Sequence, residues 1–191
     1  GSEMCIRDRK ATRENKDLHW EEPLSVEFTG RVKTGQLPTF DKLICKSDFI
    51  ALNARVAPDS IRAAANVYLD RLAARLADFV DLGEVTLDGQ AMATLVATRT
   101  PTGEFKVDAV VDAKQFACLD RKGKGLREPS LKLTLAATGK APDGSHVTIS
   151  TGSLTGTIGL DEVHLALLEP IADAKQLSSG KFDAKLSGDL G

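Results

Sequence analysis

The chain has 191 residues, a length that suits one domain or one large repeat unit. Its net charge of -2 provides no strongly basic surface for nucleic acid, and an aromatic share of 5% argues against stacking platforms for bases or sugars. The hydrophobic share of 42% is ordinary for a globular protein, and no apolar run approaches the ~20 residues of a membrane span.

The first residues need separate treatment. Residues 3–9, EMCIRDR, resemble the translation of a transposon adaptor used in sequencing libraries. The alternative is a genuine charged tail. We expect residues 1–19 to be an artefactual or disordered tail and exclude residues 1–9 from fold reasoning. We also expect a metagenomic fragment of a longer protein, with the true N-terminus missing.

Most of the chain alternates between apolar and polar residues. Leu24, Val26 and Phe28 alternate with Ser25 and Glu27, and this period of two is typical of a half-buried strand. The same pattern predicts strands at 40–46, 48–56, 84–88, 90–99, 104–113, 115–119, 128–139, 147–151, 153–159, 163–168 and 180–190. Turn sequences at 100–103 and 141–144 favour hairpins, so we predict a mainly β fold built as an antiparallel meander.

One stretch has a different period. Apolar residues recur at three- and four-residue steps, which predicts one long amphipathic helix at about residues 58–81. Pro58 and Asp59 suit its first turn and Gly83 its end. Its polar side mixes both charge signs, which favours a cover for the sheet over a membrane-surface helix. The residues expected to face the sheet include Ile61, Tyr68, Leu72, Leu76 and Phe79.

Residue types that carry catalysis do not form a recognisable pattern. The serines lack a nucleophile-elbow frame, Asp108 and Asp112 are a weak candidate for a glycosidase pair, and the basic loop at 121–125 lacks the helix that a phosphate site needs. The histidines, at 19, 146 and 164, have no metal-ligand spacing. We therefore predict no catalytic residue, no metal site, no cofactor and no enzymatic activity.

Two cysteines remain once Cys5 is set aside. Cys45 and Cys118 have no C-x-x-C spacing, so two buried strand cysteines are favoured over a metal site. A single disulfide in an oxidising compartment is the alternative, and the sequence leaves their pairing open.

An internal repeat is suggested by two related segments. Glu22-Pro23 and Glu128-Pro129 each open a strand that leads to a glycine, and the features that follow come in a similar order. We interpret residues 20–127 as a first β unit containing the helix, and 128–191 as a second, incomplete unit.

These features resemble the AsmA-like group of bacterial envelope proteins, which includes the TamB relatives. The resemblance lies in the openings at 22–30 and 128–139, the strand-then-helix stretch at 48–80, and the strand ending in Leu-x-Gly at 82–89. It implies a long antiparallel sheet curled into a half-pipe with an apolar lining. It also implies a periplasmic protein, held by an inner-membrane anchor outside this sequence, that moves phospholipid between membranes or supports outer-membrane assembly.

The resemblance leads to a hypothesis about the site. Phospholipid acyl chains would contact an apolar groove, the envelope membranes would be reached through the missing anchor, and the helix would cap the groove. The groove would be lined by Val26, Phe28, Phe105, Val107, Val111, Leu131, Leu133 and Leu135. The alternative is a compact β-rich structural or adhesin-like module with no ligand, whose closed core would produce the same alternation.

Overall fold

The computed structural model describes residues 2–6, 11–13, 16–18, 24–31, 39–77, 85–142, 146–174 and 180–188. One antiparallel sheet contains most of these residues. Its strands follow in the order β1-β4-β5-β6-β7-β8-β9-β10-β11-β12-β13, so from β4 onward each strand pairs with its neighbours in sequence. The sheet does not close on itself. The mainly β fold is therefore confirmed, and the open sheet is consistent with the expected half-pipe.

The bounds of the elements are as follows. The main sheet comprises β1 Ser2–Ile6, β4 Leu24–Arg31, β5 Thr39–Lys46, β6 Ile50–Ala57, β7 Ser60–Tyr68, β8 Thr86–Arg99, β9 Glu104–Leu119, β10 Gly125–Lys140, β11 Thr148–Ile158, β12 Asp161–Leu167 and β13 Phe182–Ser187. Outside it lie the helix α1 Leu69–Leu76 and a separate two-stranded sheet of β2 Ala11–Arg13 and β3 Lys16–Leu18.

The prediction of one long helix at 58–81 was wrong for residues 58–68 and correct for residues 69–76. Pro58 and Asp59 form the turn between β6 and β7, residues 60–68 form β7, and Leu69–Leu76 is the helical part of the described residues 58–77. Residues 78–81 and the predicted helix end at Gly83 lie outside the described residues. Ile61 and Ala65 fit a helical stripe, but they also fit a period of two. Since β7 pairs along its whole length with β6 and with β8, the strand satisfies its backbone on both sides and overrides the helical propensity of alanine.

Several predicted strands merge into longer ones. Residues 86–88 of the first segment and the segment at 90–99 join in β8, whereas residue 84 lies outside the described residues. The segments at 104–113 and 115–119 form β9. The break expected at Gly89 is a bulge, where this glycine has a φ of +111° and lies against Gln115, itself at a φ of +52°. Only glycine adopts this backbone conformation readily, so Gly89 bends the long strand without ending it.

The N-terminal segment contains three short strands. Ser2–Ile6 pairs with β4, while β2 and β3 form their own hairpin. The edge of β4 carries backbone groups that an extended neighbour can satisfy, which accounts for the added strand. The boundary proposed between residues 127 and 128 falls inside β10, so the two suggested repeat units share a continuous strand.

One layer of sheet leaves little room for a core. Within the described residues, the buried hydrophobic side chains are those of Phe49, Ala91, Ala113, Ala117 and Ile171. No described side chain is less than 2% exposed. A sandwich of two sheets would bury entire rows of large aliphatic residues, and the described part of this chain does not.

Candidate functional site

A continuous apolar surface runs across the sheet from β4 to β13. Because directly paired residues of antiparallel strands point to the same side, the register places two complete rows on one face. One row is Val26, Cys45, Leu52, Ala65, Ala93, Val111, Leu133, Gly156, Val163 and Leu186. The other is Phe28, Leu43, Ala54, Ala63, Leu95, Ala109, Leu135, Leu154, Leu165 and Ala184. Neither row contains a charged side chain, and we call this surface the apolar face.

Two further partial rows extend the apolar face along the strands. Toward the β6–β7 turn the row is Val56, Ile61, Ala97, Val107, Ala137 and Gly152. Toward α1 it is Ile50, Val67, Ala91, Ala113, Leu131 and Ile158. The opposite side of the same strands is mixed: it carries Thr94 on β8 and Lys132, Thr155 and His164 farther along, together with the exposed Met92 and Val96.

The face is partly open over its whole width. Leu135 near its middle is 41% exposed, and Ile61 on β7 is 39% exposed. Leu186 on the edge strand β13 is 79% exposed. The other residues of the two complete rows are mostly half-buried by their neighbours in the sheet. No second layer covers the centre of the face within the described residues.

The register brings the eight predicted lining residues together on this face. Val26, Phe28, Val111, Leu133 and Leu135 lie in the two complete rows. Val107, Leu131 and Phe105 continue the alternation of the same strands, and Phe105 pairs with Gly139. That these residues line a lipid groove stays a prediction, while their common placement on one face is a structural observation.

The five residues expected on a capping helix are divided by the structure. Ile61 belongs to the apolar face itself, and Tyr68 ends β7 with the Arg71 guanidinium 4.9 Å from its ring centre. Leu72 and Leu76 are in α1 and are half-buried, whereas Phe79 lies outside the described residues. Only two of these five residues are therefore part of the helix described here.

The helix occupies one end of the apolar face. It lies against β8 and β7, and two buried alanines of the face, Ala91 and Ala113, are in the row nearest to it. The helix is also attached to the β5–β6 turn: Arg71 donates to the Asp48 carbonyl oxygen at 3.0 Å, and Arg75 pairs with the Asp48 carboxylate at 3.3 Å. We infer that α1 covers this end of the face and leaves the centre open.

A cavity of about 350 Å³ lies at the other end. Its walls come from the β6–β7 turn, the end of β8, the start of β9 and the segments that flank the β10–β11 connection. They include the apolar residues Val56, Ile61, Ala97, Phe105 and Val107. Two charged residues, Asp59 and Arg99, also line it.

Sequence reasoning missed both of these charged residues. Asp59 was assigned to a helical first turn, and Arg99 was read only as the end of a strand. A signal for Arg99 was present, because it occupies the position after Ala91, Ala93, Leu95 and Ala97 in the alternation of β8. A charged residue at an apolar position of the alternation indicates that the apolar surface adjoins polar groups at that point.

The two cysteines do not pair with each other. Cys45 is on β5 and Cys118 on β9, four strands away, which at ~4.8 Å per strand is about 19 Å and far beyond the ~7 Å that a disulfide allows. Cys45 lies in a complete row of the apolar face, and burial raises the pKa of its thiol. A free thiol on this face gives a built-in probe of what covers it.

The other side chains considered for catalysis or anion binding do not come together in one site. Asp108 pairs with Lys106 at 2.9 Å, and the tip of the basic loop is held by the Asp120 carboxylate, which accepts from the backbone of Lys122 and Lys124. In the described residues no three His, Cys, Asp or Glu side chains come together as a metal site would require. The same part of the chain contains no helix long and apolar enough to cross a membrane.

Comparison with known proteins gives no relative. A scan against protein-family models, a search of curated proteins and a search of solved structures each found no match.

Proposed function

We propose that the apolar face binds the acyl chains of phospholipids, as part of an AsmA-like protein of the bacterial cell envelope. The observation that carries this proposal is the continuous apolar surface, over whose centre no second layer lies in the part of the chain that the structure describes. Ten strands at ~4.8 Å spacing extend about 43 Å, and six residue steps along a strand add about 20 Å. Because the two outer rows span only the six strands β6–β11, the projected area is roughly 600 Å². This is at the upper end of the ~300–600 Å² of the largest apolar patch on a typical monomer.

The chemistry of the face favours hydrocarbon as the ligand. Its complete rows contain aliphatic side chains, Phe28, Cys45 and Gly156, and they offer no charged group to a sugar, a base or a peptide. The acyl chains of one bilayer leaflet reach ~15 Å, half of the ~30 Å hydrocarbon core. One chain therefore fits along a strand between the cavity and α1, and several fit side by side across the strands.

The wider role rests on the resemblance to AsmA-like proteins. It supports a place in the periplasm, attached to the inner membrane. There the face would carry phospholipid between membranes or support outer-membrane assembly. The alternative of a compact β-rich structural or adhesin-like module requires a sealed core, and the half-open rows around Leu135 weigh against it.

Protection of Cys45 provides the test. A chain with Cys5→Ser and Cys118→Ser retains one thiol, which is labelled with a maleimide at pH 8.5 because burial raises the thiol pKa. We expect diacylglycerol or phospholipid in mixed micelles to slow labelling of Cys45 at least ~5-fold relative to lipid-free micelles. Native mass spectrometry of the chain purified from bacteria should also show bound phospholipid.

A matched variant controls for general shielding by micelles. Asn53→Cys, in a chain that also carries Cys45→Ser, places the thiol on β6 on the opposite, exposed side of the sheet. Its labelling rate should not change with lipid. Equal lipid effects at both positions, or no effect at Cys45 together with no co-purified phospholipid, would contradict the proposal.

A further inference from the structure

The cavity at the β6–β7 end of the apolar face combines a cation and an anion that do not neutralise each other. The Arg99 guanidinium donates from Nη2 to the carbonyl oxygens of Ala141 and, at 3.2 Å, of Pro142. The Asp59 carboxylate accepts from the Ser60 hydroxyl at 3.3 Å. Among the described residues, neither side chain forms an ion pair.

Within the described ranges, this arrangement leaves both charges without a neutralising partner. Carbonyl oxygens orient a guanidinium without neutralising it, and Arg99 has further N–H donors beyond those on Nη2. The backbones of the two residues are joined, since the Arg99 amide donates to the Asp59 carbonyl oxygen at 2.7 Å. The nearest other acid on this hairpin, Glu104, is already paired with Lys140 at 3.2 Å. A half-buried arginine and a carboxylate therefore line one cavity, each with bonding capacity left.

We propose that this cavity binds the headgroup of a zwitterionic phospholipid, with the phosphate at Arg99 and the ammonium at Asp59. The proposal rests on the function proposed above, because the acyl chains of the same molecule would lie on the apolar face that begins at Ile61, Ala97 and Val107. A guanidinium matches the oxygens of a phosphate, and a carboxylate matches an ammonium. In ethanolamine and choline headgroups a two-carbon link separates these charges, short enough for both to occupy a cavity of about 350 Å³.

The geometry also gives the lipid a direction. Asp59 and Arg99 lie at the start of β7 and the end of β8, and α1 begins where β7 ends. A lipid with its headgroup in the cavity would point its chain toward α1. The distance from Ile61 to Val67, about 20 Å at ~3.3 Å per residue, exceeds the ~15 Å of one leaflet's chains.

A comparison of three lipids tests the headgroup site. Phosphatidylethanolamine, phosphatidylglycerol and diacylglycerol with identical acyl chains are presented to the chain in mixed micelles, and bound lipid is quantified by native mass spectrometry. We expect the unmodified chain to retain phosphatidylethanolamine at least ~5-fold over diacylglycerol and over phosphatidylglycerol. Arg99→Gln should reduce phosphatidylethanolamine to the diacylglycerol level, and Asp59→Asn should remove the preference over phosphatidylglycerol.

Three controls separate recognition of the headgroup from folding. Arg99→Lys keeps the charge and should restore part of the retention lost in Arg99→Gln. Arg62→Gln and Asp70→Asn remove exposed charges outside the cavity and should leave all three lipids unchanged. Diacylglycerol retention reports on the apolar face alone and should be equal in every variant.

The outcomes distinguish the two proposals. If all three lipids are retained equally by every variant, the headgroup site is wrong while binding by the apolar face stands. If the unmodified chain retains neither diacylglycerol nor either phospholipid, the proposed function is contradicted and the headgroup site with it. A concentration-dependent dimer that excludes every lipid would assign the face to a second copy of this chain and overturn both.

Discussion

Leu135→Asp is expected to abolish retention of diacylglycerol and phospholipid while leaving the chain folded. Leu135 lies near the middle of the apolar face and is 41% exposed, so its side chain is buried only in part. Full burial of a leucine contributes ~1.5–3 kcal/mol, and the partial burial here makes the expected loss of unfolding free energy about 1–2 kcal/mol. That is small beside the ~5–15 kcal/mol typical of a folded domain.

The same substitution would have another result in a sealed core. An ionised carboxylate with no partner in a dry interior costs several kcal/mol, comparable with the stability of the domain. Circular dichroism on heating gives the stability, and native mass spectrometry gives the bound lipid. Thr155→Asp, on β11 on the opposite exposed side, should change neither readout appreciably. Unfolding of Leu135→Asp at room temperature would favour the compact module, and lipid retention equal to the unmodified chain would exclude this part of the face from binding.

Gly139→Ala is expected to destabilise the sheet by about 1–3 kcal/mol, the usual cost of forcing an extra carbon into a packed site. A Cβ at Gly139 would meet the Thr148 carbonyl oxygen and would lie 2.6 Å from Cζ of the Phe105 ring. Backbone and an aromatic ring cannot both move aside, so β10 must shift relative to its neighbours. At ~2–4 °C per kcal/mol for a chain of this length, the melting temperature should fall by roughly 2–12 °C.

A nearby glycine provides the matched comparison. Gly152, on β11, would place a new Cβ 3.7 Å from the Cβ of Leu167, which is an ordinary contact. Gly152→Ala should therefore be neutral or raise the unfolding free energy by ~0.4–1 kcal/mol through the unfolded state. Differential scanning calorimetry of both variants checks the pair. A melting temperature for Gly139→Ala at or above that of Gly152→Ala would show that the strand pairing at this end differs from the one described.

The sequence allowed the class of fold to be predicted, because a period of two is visible in most strands of this antiparallel sheet. Leu131, Leu133 and Leu135 alternate with Lys132 and Thr134, and the structure places them on opposite faces. The alternation also placed the eight predicted lining residues on one face, because the strand register aligns the apolar positions of neighbouring strands. The alternation could not show whether a second layer covers the apolar face, because a sealed core and an open face have the same pattern.

The helix shows where local reasoning failed. In residues 60–68 alanine occupies both phases, so Ala63, Ala64 and Ala65 fit a helix or a strand equally well. Pairing with β6 and β8 decides between helix and strand. A pattern read within residues 60–68 alone does not contain that information. The charged cavity was missed for the same reason, since Asp59 and Arg99 are forty residues apart and meet only after β7 and β8 pair.

The order of the strands has a consequence for how the chain acquires its structure. From β5 to β12 each strand pairs only with the strands before and after it in the chain, so pairing does not require strands that are far apart in the element order to meet first. Folding can then start at one hairpin and spread outward in both directions, as in repeat proteins, with the 16-residue strands β9 and β10 as the natural nucleus. Such a sheet can also fray from its edges inward while its centre stays paired, and its ends can exchange partners without loss of the middle.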